Sequence, residues 1–147
     1  MSKKARVIAF YLPQYHPTPS NDKWWGKGFT EWTNVGKAKP LFKGHYQPKV
    51  PADLGYYDLR LPEVREAQAQ MAHEAGIEGF CYYHYWFGNG KQELELPFNE
   101  VLKLGKPDFP FCLCWDFVAT IVKLVFFLSI VTFKINSLCK HRAYPSQ

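Results

Sequence analysis

The stretch from residue 7 to residue 32, VIAFYLPQYHPTPSNDKWWGKGFTEW, decides the fold of this 147-residue chain. It begins with an apolar run, Val7 to Leu12, that is rich in β-branched and aromatic residues and stops at Pro13. Such a run predicts a buried strand. The polar and aromatic residues beyond Pro13 are too numerous for a plain connection, so they predict a site-building loop. The alternative is a surface loop whose aromatic side chains cover the core.

The rest of the first 115 residues predicts alternating helices and strands. A helix should begin at Pro62 and end at Gly76. Its apolar face would be formed by Val64, Ala67, Met71 and Ala75. Further strands are predicted at Gly79 to Trp86 and at Pro110 to Trp115, separated by a helix from Pro97 to Lys103. That helix would turn Phe98, Val101 and Leu102 inward and end at Gly105. The order predicts an α/β fold with a parallel sheet.

Residues 13–60 show neither helical nor strand periodicity and contain six prolines. A long segment of this kind inside a compact domain is usually functional. The chain is long enough for one domain and too short for two.

Charge and cysteine usage exclude several functions. The net charge of +5 comes from scattered lysines, and a nucleic-acid site would need a basic stripe. The four cysteines are Cys81, Cys112, Cys114 and Cys139, and their spacing does not match a zinc site. Thiols within apolar runs suit a reducing compartment. The N-terminus lacks the features of a signal peptide, so the sequence predicts a cytoplasmic protein.

Five blocks of sequence carry a resemblance to a known family. They are AFYLPQYHP (9–17), NDKWWGKGFTEWTNV (21–35), KPLFKGHYQPKVPADLGYYDLR (39–60), GIEGFCYYHYWF (76–87) and PFCLCW (110–115). In this order they resemble the glycoside hydrolase family 99-like domain, also called the WbsX-type glycosyltransferase domain, of bacterial lipopolysaccharide and polysaccharide biosynthesis. The resemblance covers about residues 5–115.

The resemblance implies a (β/α)8 barrel of the TIM type. Because such a barrel needs about 250 residues, this chain would supply only about three β/α units and could not close. In the family the third strand is followed by an Ala-Asn-Glu block, whereas here Trp115 is followed by Asp116 and Phe117. An acidic residue expected after that strand is therefore missing. We accordingly divide the chain into a partial domain at 5–115 and a divergent tail at 116–147.

The tail is nearly continuous apolar sequence from residue 117 to residue 133. A membrane-spanning helix needs about twenty apolar residues, and Lys123 lies near the middle of the run. The tail is therefore a borderline candidate for membrane contact. It could instead be an amphipathic or buried helix, or a frameshifted segment foreign to the parent fold.

In a barrel of this type the loops after the strands build the site. Flat aromatic rings beside hydrogen-bonding side chains suit sugars, which present apolar C–H faces and hydroxyl groups. The predicted substrate-binding residues are Tyr15, His16, Trp24, Trp25, Trp32, His84, Tyr85, Trp86 and Trp115. Two alternatives remain open: Trp24 and Trp25 plug the barrel end, and His84 points into the core.

Glu31 and Asp22 are the catalytic candidates, since they are the only acids in the first loop and glycoside cleavage normally uses two carboxyl groups. A loop acid more often has a stapling role, which is the alternative for both. The sequence predicts no cofactor and no metal site.

The resemblance implies glycosyl hydrolysis or transfer in surface polysaccharide assembly, with lipopolysaccharide O-antigen as the context and a glycan or sugar donor as the partner. The alternative is a catalytically inactive, truncated fragment that at most binds glycans. An open sheet would leave strand edges and an apolar face exposed, so we expect poor solubility or dependence on a partner.

Overall fold

The computed structural model describes residues 5–117, which form a mixed α/β structure with four strands in one sheet and four helices. The predicted tail covers residues 116–147, of which Asp116 and Phe117 belong to the last strand and residues 118–147 lie outside the described residues. The elements in chain order are β1 (Ile8–Tyr11), α1 (Pro19–Trp25), α2 (Glu31–Lys37), α3 (Pro62–Glu74), β2 (Gly79–Gly88), β3 (Lys91–Glu93), α4 (Leu96–Leu104) and β4 (Phe111–Phe117).

Strand β2 is the centre of the sheet. It pairs in parallel with β1, where Ile8 lies opposite Gly79, and in parallel with β4, where Phe80 lies opposite Phe111. The predicted α/β fold is confirmed, and the three predicted strands pair in parallel, whereas the antiparallel β3 makes the sheet mixed. The carboxyl ends of β1, β2 and β4 point the same way, so the loops that follow β1 and β2 share one edge of the sheet.

The core lies between the sheet and helices α3 and α4. Phe80 and Tyr82 of β2 pack there with Ala72 of α3 and Phe98 of α4. Side chains alternate along a strand, so the residues next to these core residues in the sequence point to the opposite face of the sheet. On that side Ile8 and Phe10 are 47% and 57% exposed.

Helix α3 buries a different face from the predicted one. Its buried residues are Arg65, Ala69 and Ala72, whereas Met71 is exposed. The buried face differs from the predicted one because the Arg65 guanidinium is turned inward. Its Nη1 donates to the backbone oxygens of Leu59 (2.6 Å) and Arg60 (3.1 Å). The helix thus holds the end of the preceding loop as well as packing on the sheet.

Helix α4 follows its prediction closely. Phe98 and Val101 are buried, and Gly105 ends the helix with a left-handed φ of 66°. Leu102 differs, because it is 65% exposed and does not belong to the inner face.

The segment 13–60 is more regular than predicted, because it contains α1 and α2. Thr18 caps α1 by accepting a hydrogen bond from Asn21 N, and Pro19 occupies the first turn. Thr30 and Thr33 form a reciprocal capping box at the start of α2. Each helix has only seven residues, so its stability depends on these caps and on contacts with the rest of the fold.

Strand β3 was not predicted from the sequence. The predicted turn at Gly88, Asn89 and Gly90 reverses the chain, and β3 then pairs antiparallel with the end of β2, with Tyr85 opposite Glu93. This hairpin extends β2 beyond β1 and brings Lys91 and Glu93 to the site edge of the sheet.

Candidate functional site

The loop after β1 is fixed to two later segments by its backbone. Gln14 O accepts a hydrogen bond from Glu31 N (3.1 Å), and Tyr15 O accepts one from Leu59 N (3.1 Å). The start of α2 and the end of the 13–60 segment are therefore held beside the carboxyl end of β1.

Four rings form what we call the Tyr15 cluster: Tyr15, Trp32, Tyr56 and Tyr57. The Tyr15 ring lies 4.6 Å from Trp32 and 5.3 Å from Tyr57, and Trp32 meets both Tyr56 and Tyr57 edge to face. The indole Nε1 of Trp32 donates to Tyr57 O (2.8 Å). Trp32 is thus held rigidly, with its ring half-buried and its N–H already engaged.

Glu31 lies at the first position of α2, beside the Tyr15 cluster. Its Oε2 accepts a hydrogen bond from Asn34 Nδ2 (3.1 Å). Burial raises the pKa of the Tyr15 hydroxyl, and the nearby Glu31 carboxylate raises it further. The Glu31 carboxylate is therefore held close to the Tyr15 cluster.

Asp22 has a clear structural task. Its Oδ1 accepts a hydrogen bond from Gly28 N (2.8 Å), which closes the turn between α1 and α2. Gly26 and Gly28 both have positive φ in that turn, where other residues would be strained. Asp22 therefore acts as a staple in this structure, and its catalytic role stays a prediction.

Trp24 and Trp25 are both exposed on α1. Trp24 is 50% exposed and lies 6.3 Å from the ring of Phe87, whereas Trp25 stacks on Phe29 at 5.7 Å. Lys91 Nζ lies 5.3 Å from the centre of the Trp24 ring and 5.4 Å from that of Phe87.

His16 and His84 lie beneath the surface, with exposed fractions of 1% and 3%. The His84 ring packs edge-on against Phe98 of α4 at 5.3 Å, so this side chain points into the core. Burial lowers the pKa of both imidazoles, and the Glu95 carboxylate opposes that shift in each. A sugar contact by either histidine would require the covering residues to move.

The remaining predicted residues lie along β2 and β4. Tyr85 stacks loosely on Tyr83 at 6.5 Å, and the Trp86 ring lies 6.4 Å from His84. Trp115 belongs to β4, opposite His84 in the strand register.

Several residues of this region were missed by the sequence analysis: Tyr56, Tyr57, Phe87, Lys91, Glu93 and Glu95. The aromatic pair at 56 and 57 was a detectable signal, because it follows a turn and lies within a block that carries the resemblance. Phe87 and Lys91 were hidden, since their proximity to Trp24 depends on the β2–β3 hairpin.

Within residues 5–117, no group of three or more His, Cys, Asp or Glu side chains is arranged to hold a metal ion. The four helices of that part of the chain are too short or too polar to cross a membrane.

The family model for glycosyltransferase WbsX matches residues 7–117. The chain belongs to the WbsX glycosyltransferase family. Two proteins described as uncharacterized protein WxcX, from Xanthomonas campestris pv. campestris strains B100 and ATCC 33913, are each 56% identical to it over 111 residues. These residues are 76% of this chain and 16% of each relative, so the WbsX chain spans about one sixth of the length of the curated relatives it matches.

Among solved structures, the WbsX chain is similar to two of the GH99 endo-α-mannosidase from Bacteroides thetaiotaomicron, one of them in complex with bis-tris-propane. The identities are 21% and 22%, with TM-scores of 0.38 and 0.37. Each match covers 76% of this chain, and 29% and 33% of the respective mannosidase chains. The match to the family model confirms the predicted resemblance to the WbsX-type glycosyltransferase domain.

Proposed function

We propose that the described residues form the N-terminal part of a carbohydrate-active domain, about three β/α units of a (β/α)8 barrel. Its site would lie at the carboxyl ends of β1, β2 and β4. The domain would include residues 5–115, and residues 116–147 would form a separate tail. The proposed role is glycosyl hydrolysis or transfer in surface polysaccharide assembly, such as that of lipopolysaccharide O-antigen.

The Tyr15 cluster beside Glu31 is the observation that carries this proposal. Aromatic rings can stack on the C–H face of a sugar, while a carboxylate at their edge hydrogen-bonds its hydroxyls. Glu31 is the better of the two catalytic candidates, because Asp22 is already engaged by Gly28 N.

A second candidate function is glycan binding without turnover. It is favoured by the role of Asp22, the second candidate acid, because its Oδ1 already accepts a hydrogen bond from Gly28 N and closes a turn. Cleavage by the usual route needs a pair of carboxyl groups at about 5–10 Å separation.

The test is incubation of the full chain with mannose-containing and O-antigen-type oligosaccharides, with products followed by chromatography and binding by calorimetry. The enzymatic proposal predicts turnover that Glu31→Gln reduces by at least about a hundredfold while leaving binding nearly unchanged. The matched control is Glu63→Gln, which changes an exposed acid of α3.

Binding without turnover would select the second function, and turnover unaffected by Glu31→Gln would remove Glu31 from the catalytic role. The absence of both binding and turnover would contradict the proposal.

A further inference from the structure

We propose that Trp24, Phe87 and Lys91 form a subsite for a sugar ring that carries a negative charge, as a carboxylate or a phosphate. This inference rests on the proposed glycan function and adds a preference for anionic substrates. We call these three residues the Trp24 subsite.

The geometry of the Trp24 subsite combines two rings and one cation. Trp24 and Phe87 come from α1 and from the end of β2, with their ring planes inclined at 57°. Lys91 Nζ lies within 5.4 Å of both ring centres. The ammonium group therefore lies over both rings as a cation–π contact, beside the exposed half of Trp24.

The carboxylates nearest to the Trp24 subsite have other partners, so the Lys91 ammonium group remains available to an anionic ligand. Glu93, on the same hairpin, accepts hydrogen bonds from the hydroxyls of Ser20 and Thr18. Asp22 is engaged by Gly28 N. Among residues 5–117, no carboxylate forms an ion pair with Lys91, and Lys23 and Lys27 add positive charge on the neighbouring helix and turn.

A purely structural role for Lys91 is the competing explanation. The hairpin is, however, already tied to α1 through Glu93, Ser20 and Thr18. Trp24 keeps half of its surface exposed despite its contacts, and Lys91 is exposed as well. An exposed cation–π contact contributes little to stability, so we assign Lys91 to ligand binding.

The chemistry of the trio matches one class of ligand. A pyranose ring can lie against the Trp24 indole through its C–H face, which leaves its substituents at the ring edge. A carboxylate or phosphate at that edge would pair with the Lys91 ammonium as a charge-assisted hydrogen bond. A neutral sugar would gain only the stacking contact.

The test compares charged and neutral sugars with the full chain by isothermal titration calorimetry. The carboxylate arm uses trigalacturonate against galactotriose, and the phosphate arm uses galactose 1-phosphate against galactose. We expect at least one charged sugar to bind about tenfold more tightly than its neutral counterpart. The arm that shows the preference identifies the anionic group.

Variants locate the effect. Lys91→Gln should abolish the preference for the charged sugar, and Lys91→Arg should retain it. The matched control is Lys49→Gln, because Lys49 Nζ also lies over a tyrosine ring, that of Tyr46, at 4.7 Å but elsewhere on the surface. Trp24→Ala should weaken binding of charged and neutral sugars alike.

Equal binding of charged and neutral sugars, or an unchanged preference in Lys91→Gln, would overturn the inference while leaving glycan binding in place. If none of these sugars binds but mannose-containing or O-antigen-type glycans do, the inference also fails and the proposed function stands. If no glycan of any kind binds, both fail.

Discussion

Burial sets the chemistry of the two histidines at the site edge. His16 lies just after β1 and His84 lies on β2, and desolvation lowers the pKa of both imidazoles. For His16, the charges of Asp58 and Glu95 oppose this shift, and Arg60 adds to it. Both histidines should therefore be neutral in the folded chain near neutral pH.

This burial predicts a pH dependence of stability. Because the pKa values are lower in the folded state than in the unfolded state, the unfolded chain binds more protons as the pH falls. The contribution of the two neutral histidines to the free energy of unfolding should be fully present above their unfolded pKa of about 6.5. It should decline as the pH falls below that value. Urea denaturation at several pH values between about 5 and 7.5 measures this slope.

His16→Asn should flatten the slope, because it removes a buried imidazole whose pKa is lowered in the folded chain. Asp58 is distinct, because hydrogen bonds and charge from Arg60 outweigh its desolvation and lower its pKa. The contribution of Asp58 to the free energy of unfolding is present above its unfolded pKa of about 4 and is lost only as the pH falls below that value.

For the histidines, a wild-type slope of zero or of opposite sign between about pH 5 and pH 7 would contradict this account.

At the scale of elements, the close approach of β2 and β4 depends on one glycine. A Cβ atom built on Gly79 would lie 2.7 Å from Pro110 O, and this oxygen accepts the hydrogen bond from Phe80 N (2.9 Å). A side chain at position 79 would therefore push the start of β4 away from β2 and weaken the pairing.

We predict that Gly79→Ala lowers the free energy of unfolding by about 1–3 kcal/mol, because the contact is with backbone that cannot rotate away. Gly36→Ala is the matched control. Gly36 lies within α2 with no atom within 4 Å of the added Cβ, so alanine there should be neutral or stabilising by up to about 1 kcal/mol. Chemical denaturation of both variants checks the pair, and equal effects would refute the role of Gly79.

The elements show where sequence reasoning succeeds. Strands β1, β2 and β4 and helix α4 were predictable because continuous apolar runs, prolines and Gly105 mark them locally. Helix α3 was placed correctly, but its buried face was wrong, because a buried Arg65 is not expected from hydrophobic periodicity. Helices α1 and α2 were missed, since seven residues carry too little periodicity, although Thr18–Pro19 and the Thr30–Thr33 box were readable signals.

The site was predictable in composition and less so in arrangement. The sequence indicates which aromatic residues follow the strands, but burial of His16 and the turn made by Asp22 depend on contacts with distant segments. Likewise, Lys91 meets Trp24 only because the hairpin folds toward α1.

At the scale of the whole molecule, one face of the sheet carries the core and the other keeps apolar side chains in solvent. Ile8 and Phe10 belong to the second face, and Phe10 stacks on Tyr83 at 5.6 Å. Within residues 5–117, β1 also has one edge that no strand pairs. Exposed apolar surface beside an open strand edge favours association.

We therefore predict that the full chain self-associates at concentrations of about 10–100 µM, and that the double variant Ile8→Lys/Phe10→Lys reduces this association. The matched control is Leu41→Lys/Phe42→Lys, which changes two exposed apolar residues outside the sheet and should have a smaller effect. Size-exclusion chromatography with light scattering measures the mass. A monomeric wild-type chain across this range would contradict the prediction.

The central claim is that the loops after β1 and β2 bind glycans, and indole NMR resonances test it most directly. Five tryptophans supply five reporters, which single Trp→Phe variants assign. Titration of the full chain with a mannose-containing or O-antigen-type oligosaccharide should produce saturable shifts that are largest for Trp24 and Trp32. Unchanged resonances at millimolar glycan, or shifts equal at all five indoles, would contradict it.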